Sequence, residues 1–224
     1  MAEQHLLITI SILGGTGKEG KGLAYRWAKS GYRILIGSRS LEKARATAIE
    51  LLDRLGGKAF IEGSDNLRAA EAADIVVLTV PYTAHRLTLK SVKHALQGKL
   101  LVDVTVPLVP PQVSKVQMPP AGSAAQEARE ILGEGVEVTS AFQNISHELL
   151  LSDENIECDV LVAGTSQAAR REVLKLVEAA GLTGWDAGPI ENSVVVEGLT
   201  SVLIGINKQY GSKHAGIKIT GIKN

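Results

Sequence analysis

The chain has 224 residues, 45% of them hydrophobic and 21% charged, and its 24 basic side chains balance 24 acidic ones. That length suits one large domain, or one domain with a small appendage, and the apolar share is ample for a packed core. Zero formal charge without a long basic run argues against nucleic acid or an anionic membrane as main partner, and an aromatic share of 4% offers no base-stacking platform.

The first apolar run, residues 6–13, predicts a strand. It leads into glycines spaced Gly15-x-Gly17-x-x-Gly20, and a helical pattern follows over 18–30. This is the context of a dinucleotide fingerprint. The first Gly permits a tight turn, the second lets a pyrophosphate approach the backbone, and the third lets helix pack on strand. A second strand, 32–37, ends in Ser38-Arg39. Sites that prefer NAD place a carboxylate near there for the ribose 2′-hydroxyl. A Ser-Arg pair suits a 2′-phosphate instead, because guanidinium offers a fork of donors. The reading is NADP binding. The competing one is a glycine-rich turn of some other α/β protein, with Arg39 merely solvated.

A helix over 41–55 carries Leu41, Ala44, Ala48, Leu51 and Leu55 on one stripe and stops at Gly56-Gly57. A short strand at 58–61, a helix at 66–73 and an apolar strand at 74–80 follow, the last closed by Pro81. A helix at 83–96 precedes a strand at 100–104. Apolar strands separated by helices imply an α/β fold of Rossmann type, a doubly wound and mostly parallel sheet covered on both faces. Cofactors of such sheets sit outside the carboxyl ends of the strands. One rim then holds Gly15–Gly20, Gly37–Arg39, Thr79–Tyr82 and Thr105–Leu108.

Five prolines between 107 and 120 make a loop, and Ser123-x-x-Gln126 reads as a capping box for a helix to Leu132. A strand at 136–140 follows. A smaller C-terminal α/β unit has strands at 159–163 and 183–187 around a helix at 166–180, then a mostly apolar helix at 190–209. Gly198 and Gly205 lie seven apart on that helix, which suits close packing or a flat wall beside a planar ring. No acidic residue follows Glu197, while Lys208, Lys213, His214, Lys218 and Lys223 make the end basic. That end reads equally as a solvated tail or as a contact with an anionic ligand or partner subunit.

Cys158 is the single cysteine, and the N-terminus shows no signal-peptide pattern, which fits a cytoplasmic protein. No apolar segment reaches the roughly 20 residues of a membrane span. His5, His85, His94, His147 and His214 have no metal-ligand spacing, and there is neither a Gly-x-Ser-x-Gly elbow nor a P-loop. Neither a metal nor a catalytic side chain is assigned.

Taken together, several segments resemble the coenzyme F420-dependent NADP oxidoreductases over nearly the full length. They are Leu13-Gly-Gly-Thr-Gly17 with Gly20-Lys-Gly-Leu-Ala24; Ile36-Gly-Ser-Arg39 with Lys43; Leu78-Thr-Val-Pro81; Pro107-Leu-Val-Pro110; Ser123-Ala-Ala125; and Asp186-Ala-Gly-Pro-Ile190 with Asn192-Ser193 and Gly216-Ile-Lys218. The resemblance implies a Rossmann domain, 1–140, and a small C-terminal domain, 141–224, that completes a deazaflavin pocket. It implies hydride transfer between NADP(H) and coenzyme F420, directly from ring to ring. Gly15, Thr16, Gly17, Lys18, Glu19 and Gly20 would line the pyrophosphate, and Ser38, Arg39 and Lys43 the 2′-phosphate. Thr79, Val80, Pro81 and Tyr82 would border the cofactor, with Asn144, Ile145 and His147 by the nicotinamide. Where some relatives carry His-Thr-Ile-Pro, this chain has Gln143-Asn144-Ile145-Ser146. Hydride transfer between bound rings needs no obligatory nucleophile or metal. Other readings keep NADPH with a flavin, iron chelate or small carbonyl as acceptor, or make the protein a non-catalytic NADP(H) redox sensor. The enzyme readings take small molecules as partners, the sensor reports through a further partner, and the apolar helix 190–209 suits a homodimer interface in any of them.

Overall fold

The computed structural model describes residues 8–222. The start of the first expected strand, His5 and Lys223 lie outside them. The sheet has eight strands: β1 (Thr9–Leu13), β2 (Arg33–Ser38), β3 (Ile61–Asp65), β4 (Ile75–Leu78), β5 (Leu100–Asp103), β6 (Glu137–Ser140), β7 (Asp159–Gly164) and β8 (Thr183–Pro189). They lie in the order β3-β2-β1-β4-β5-β6-β7-β8. Neighbours are parallel except β6 and β7, which pair antiparallel through Thr139↔Gly164 and Ser140↔Ala163. The order reverses at β1, so the loops after β1 and β4 diverge and leave a crevice at their carboxyl ends.

Among the described residues there are eight α-helices: α1 (Lys18–Lys29), α2 (Leu41–Arg54), α3 (Asn66–Ala72), α4 (Tyr82–Val92), α5 (Ala124–Leu132), α6 (His147–Leu150), α7 (Gln167–Ala179) and α8 (Ser193–Tyr210). The central strands are apolar at consecutive positions because both faces are covered. Ile10, Ile12, Ile34, Ile36, Val77 and Val102 join one core with Leu23 and Trp27 of α1. The alternate residues Leu13, Leu35, Val76, Leu78 and Leu101 join the other with Leu89 of α4 and Ala128 of α5.

Three elements depart from the sequence reading. The strand expected at 58–61 lies at Ile61–Asp65, in register Ile34↔Ile61 through Ser38↔Asp65. It is an edge strand of polar residues, and Gly63 lets it pass under α2, where a Cβ would come within 2.4 Å of the Ala44 carbonyl carbon. The helix expected at 83–96 ends as α4 at Val92. The short helix α6 was not expected. It docks on α1 at Gly22, where a Cβ would meet Leu150 Cβ at 2.5 Å. Arg26 fastens it by donating to the carbonyls of Leu149, Leu150, Ser152 and Glu154.

Beyond residue 140, β7 and β8 extend the same sheet. The buried Trp27 indole donates to the Leu176 carbonyl of α7 at 2.8 Å, tying α1 to this region. Gly198 and Gly205 of α8 face the proline loop: their Cβ positions lie 3.3 Å from Met118 Cε and 3.7 Å from Ser114 Cβ. Their spacing therefore serves close packing.

Candidate active site

A cleft of about 190 Å³ opens at the carboxyl rim between the loops after β1, β2 and β4. Thr16, Gly17, Ser38, Arg39, Thr79, Val80 and Pro81 line it, together with Gly14, Asn66, Ala84 and Thr88. The glycines of this turn meet different surroundings. Gly14 takes the left-handed conformation, φ +78°, and its Cβ position lies 2.8 Å from Val80 Cγ1. A Cβ at Gly20 would sit 2.7 Å from both Gly15 Cα and Thr79 Oγ1, so this glycine lets α1 close on the strands. Gly17 differs: a Cβ there meets only the Gly14 carbonyl, at 3.3 Å, and the space beyond is open.

Half of the helices carry a side-chain N-cap, and α1, α4, α6 and α8 do not. Ser40, Asp65, Ser123 and Ser166 cap α2, α3, α5 and α7 with their own side chains. At α1 and α4, the N-cap residues are Gly17 and Pro81, and neither contributes a side-chain cap. Both are cleft residues. The starts of α1 and α4, with the positive ends of their helix dipoles, therefore lie at the cleft.

The remaining fingerprint positions sit around the cleft. Gly15, Lys18, Glu19, Gly20, Lys43 and Tyr82 are not among its lining residues. Glu19 turns into α1's surroundings; its Oε1 is buried without a partner, and burial pushes the carboxyl up to about 8. Lys43 is exposed in the first turn of α2. Tyr82 donates its hydroxyl to Glu127 of α5 at 2.8 Å, and burial with that bond pushes the phenol up to about 12. Arg39 has no carboxylate partner among the described residues, and Ser38 Oγ accepts from Ser40 N at 3.2 Å. Asn66 was missed by sequence reasoning. It opens α3, and its buried Oδ1 is unpartnered in the cleft.

A second pocket, about 390 Å³, is lined by residues 143–148 and by α8 and the segment after it, including Thr200, Leu203, Lys208 and Lys213. Asn144, Ile145 and His147, expected by the nicotinamide, lie here and not in the first cleft. Phe142 turns the chain into this segment with φ 72°, rare for a bulky side chain, held by its edge-on packing against Trp27 at 5.5 Å. Hydrogen bonds link the walls of the two pockets. Thr105 Oγ1 donates to the Val80 carbonyl at 3.4 Å, Gln143 Nε2 to the Asp103 carbonyl at 2.7 Å, and Thr200 Oγ1 to the Gln143 carbonyl at 2.9 Å.

Residues 9–107 match the family model described as NADP oxidoreductase, coenzyme F420-dependent. A protein named F420-dependent NADP reductase from Methanocaldococcus jannaschii is 40% identical, the match covering 96% of this chain and 99% of that one. Its namesake from Methanothermobacter thermautotrophicus is 36% identical over 97% of both. The chain belongs to the F420-dependent NADP reductases. In fold, the reductase is similar to the crystal structure of a putative F420-dependent NADP-reductase from Arthrobacter sp. FB24, with a TM-score of 0.79 at 23% identity over 96% of this chain and all of that one. Among the described residues of the reductase, no group of three His, Cys, Asp or Glu side chains is arranged to hold a metal, and no helix is long and apolar enough to cross a membrane.

Proposed function

We propose that this reductase passes a hydride between the nicotinamide of NADP(H) and the 5-deazaflavin of coenzyme F420, directly from ring to ring. One observation carries the reading: the lining of a cleft at the sheet's carboxyl rim is tied to that of a second pocket by hydrogen bonds running through Val80, Thr105, Asp103 and Gln143. The first fits the dinucleotide. Gly17 leaves room for a pyrophosphate, and the uncapped starts of α1 and α4 face it. Asn66 Oδ1 lacks a donor that a ribose or adenine would supply. Ser38 and the unpaired Arg39 suit the 2′-phosphate, with Lys43 on the next turn. Val80 and Pro81 lead toward the second pocket, where Gln143 to His147 and Thr200 would border the rings. The rings carry the redox chemistry. The chain's residues would hold the two rings in contact and exclude water from between them.

Residues 1–140 supply the NADP side and 141–224 complete the acceptor side. α8 leaves Val195, Val202, Ile206 and Tyr210 exposed at 59%, 47%, 39% and 73%. That apolar stripe suits a homodimer, and the reductase is assigned to the cytoplasm with small-molecule cofactors as its partners. The deciding experiment mixes the protein with NADPH and F420, with FMN as control. Loss of both NADPH and F420 absorbance, with FMN turned over far more slowly, is expected. Comparable turnover with FMN would make a flavin the acceptor, and tight NADPH binding without oxidation would make the protein a sensor.

A further inference from the structure

Beneath the rim, between the two pockets, lies a cluster of ionisable side chains that ring-to-ring transfer does not itself use. His85 of α4 and Asp103 at the end of β5 both have no exposed surface, and His85 Nε2 lies 2.7 Å from Asp103 Oδ2. Every other acceptor used on Asp103 reaches a wall of the site. Its Oδ1 accepts the Thr105 N–H at 3.0 Å, and Thr105 in turn donates to the Val80 carbonyl on the cofactor side. Its main-chain carbonyl accepts Gln143 Nε2, on the acceptor side, as well as the Ala141 N–H after β6. One residue thus anchors both walls, and His85 fixes its carboxylate.

The surroundings keep His85 in place. Its Nδ1 is buried without a hydrogen bond, 3.9 Å from Glu127 Oε2. Glu127 is held by the Tyr82 hydroxyl and the Arg86 guanidinium. Glu197 of α8 lies nearby and accepts the Ala124 and Ala125 N–H groups. Burial by itself would lower the His85 imidazole; Asp103 and Glu127 outweigh it, opposed only by Arg86, and the net direction is upward. A buried polar pair of this kind contributes little to stability that well-packed apolar residues would not supply. Its use is to specify one geometry, here at the point from which both walls hang.

We propose that the buried His85–Asp103 pair is a positioning device for hydride transfer, fixing the separation between the wall at Val80 and the wall at Gln143. The inference rests on the ring-to-ring reading, in which rate is steep in distance and a misplacement of about 1 Å costs about a hundredfold.

The test is single-turnover F420 reduction by saturating NADPH, with NADPH affinity and melting temperature measured alongside. His85→Ala should slow transfer about ten- to a hundredfold while changing NADPH affinity less than about threefold. His85→Gln, which keeps a donor within reach of Asp103, should recover much of that loss. A folded His85→Ala protein that transfers at the wild-type rate, or that loses NADPH affinity as much as rate, overturns the proposal. Should His85→Ala not fold, Thr105→Val decides, because it is nearly isosteric and cuts only the tie to Val80. Slowed transfer with NADPH affinity kept supports the device, and unchanged transfer overturns it. Wild-type protein unable to reduce F420 would instead refute the underlying function.

Discussion

At the scale of single residues, cofactor choice comes down to what stands at the end of β2. A carboxylate there would repel a 2′-phosphate; Ser38 and Arg39 offer donors instead. Arg39 is exposed at the mouth of the cleft and is not held by an acid among the described residues, so no partner has to be broken before it meets a ligand. A charge-assisted hydrogen bond contributes about 1.5–3 kcal/mol. Arg39→Ala should therefore weaken NADPH binding roughly ten- to a hundredfold, at 1.4 kcal/mol per factor of ten, with little change for NADH. Titration of both cofactors against the variant checks this; equal losses would make Arg39 a structural residue. This part of the site was legible because the residues are consecutive and lie at a strand end. Asn66 was not. Its position in the cleft depends on β3 running to Asp65, and that strand is polar and stands at the sheet edge, where hydrophobic periodicity gives no signal.

At the scale of elements, α1 combines an anion-receptive start with a buried acid. Glu19 lies in its first turn, where a carboxylate favours the dipole, yet burial raises its carboxyl from 4.5 to about 8. The native state therefore keeps a proton that the unfolded chain releases near 4.5. Native protein binds more protons between those values, so Glu19 makes stability fall as pH rises from 4.5 to about 8. Glu197 acts in the same window, its carboxyl also raised to about 8. Glu19→Gln removes one of the two terms. The variant's stability relative to wild type should climb by about 1–3 kcal/mol across the window and level off above it. Denaturant melts at a series of pH values measure it, and a difference that stays flat would show that Glu19 titrates normally. Most elements were visible in the sequence because their signals are local: the glycine turn, the Ser123 capping box, the apolar strands. Helix α6 was not, since its four residues carry no periodicity. It exists because Arg26, 123 or more positions earlier, satisfies its carbonyls.

At the scale of the whole molecule, the antiparallel arrival of β7 decides where the C-terminal end lies. Because β7 runs opposite to β6, it begins at the carboxyl rim rather than ending there. Asp159, its first residue, gathers the chain end: its N–H donates to the Ile217 carbonyl, and its Oδ2 accepts the Ile219 N–H and the Trp185 indole, each at 2.8 Å. His214 reaches back to Ser146 and Glu148. The acid-free end is thus anchored beside the second pocket, a consequence of topology that no local sequence pattern discloses. Lys208 and Lys213 line that pocket, whereas Lys218 is exposed outside it, between the two residues fastened to Asp159. The deazaflavin coenzyme carries a phosphodiester and glutamates on its side chain, which these two ammonium groups would attract over about a Debye length, ~8 Å at physiological salt. Replacing Lys208 and Lys213 together by Gln should raise the KM for F420 several-fold, more at low salt than at high, while the KM for NADPH stays nearly fixed. Lys218→Gln, the matched control, should leave both constants alone. An unchanged F420 constant in the double variant, folded and with its oligomeric state preserved, would assign these lysines to solvent and leave recognition of the anionic tail to other residues of the rim.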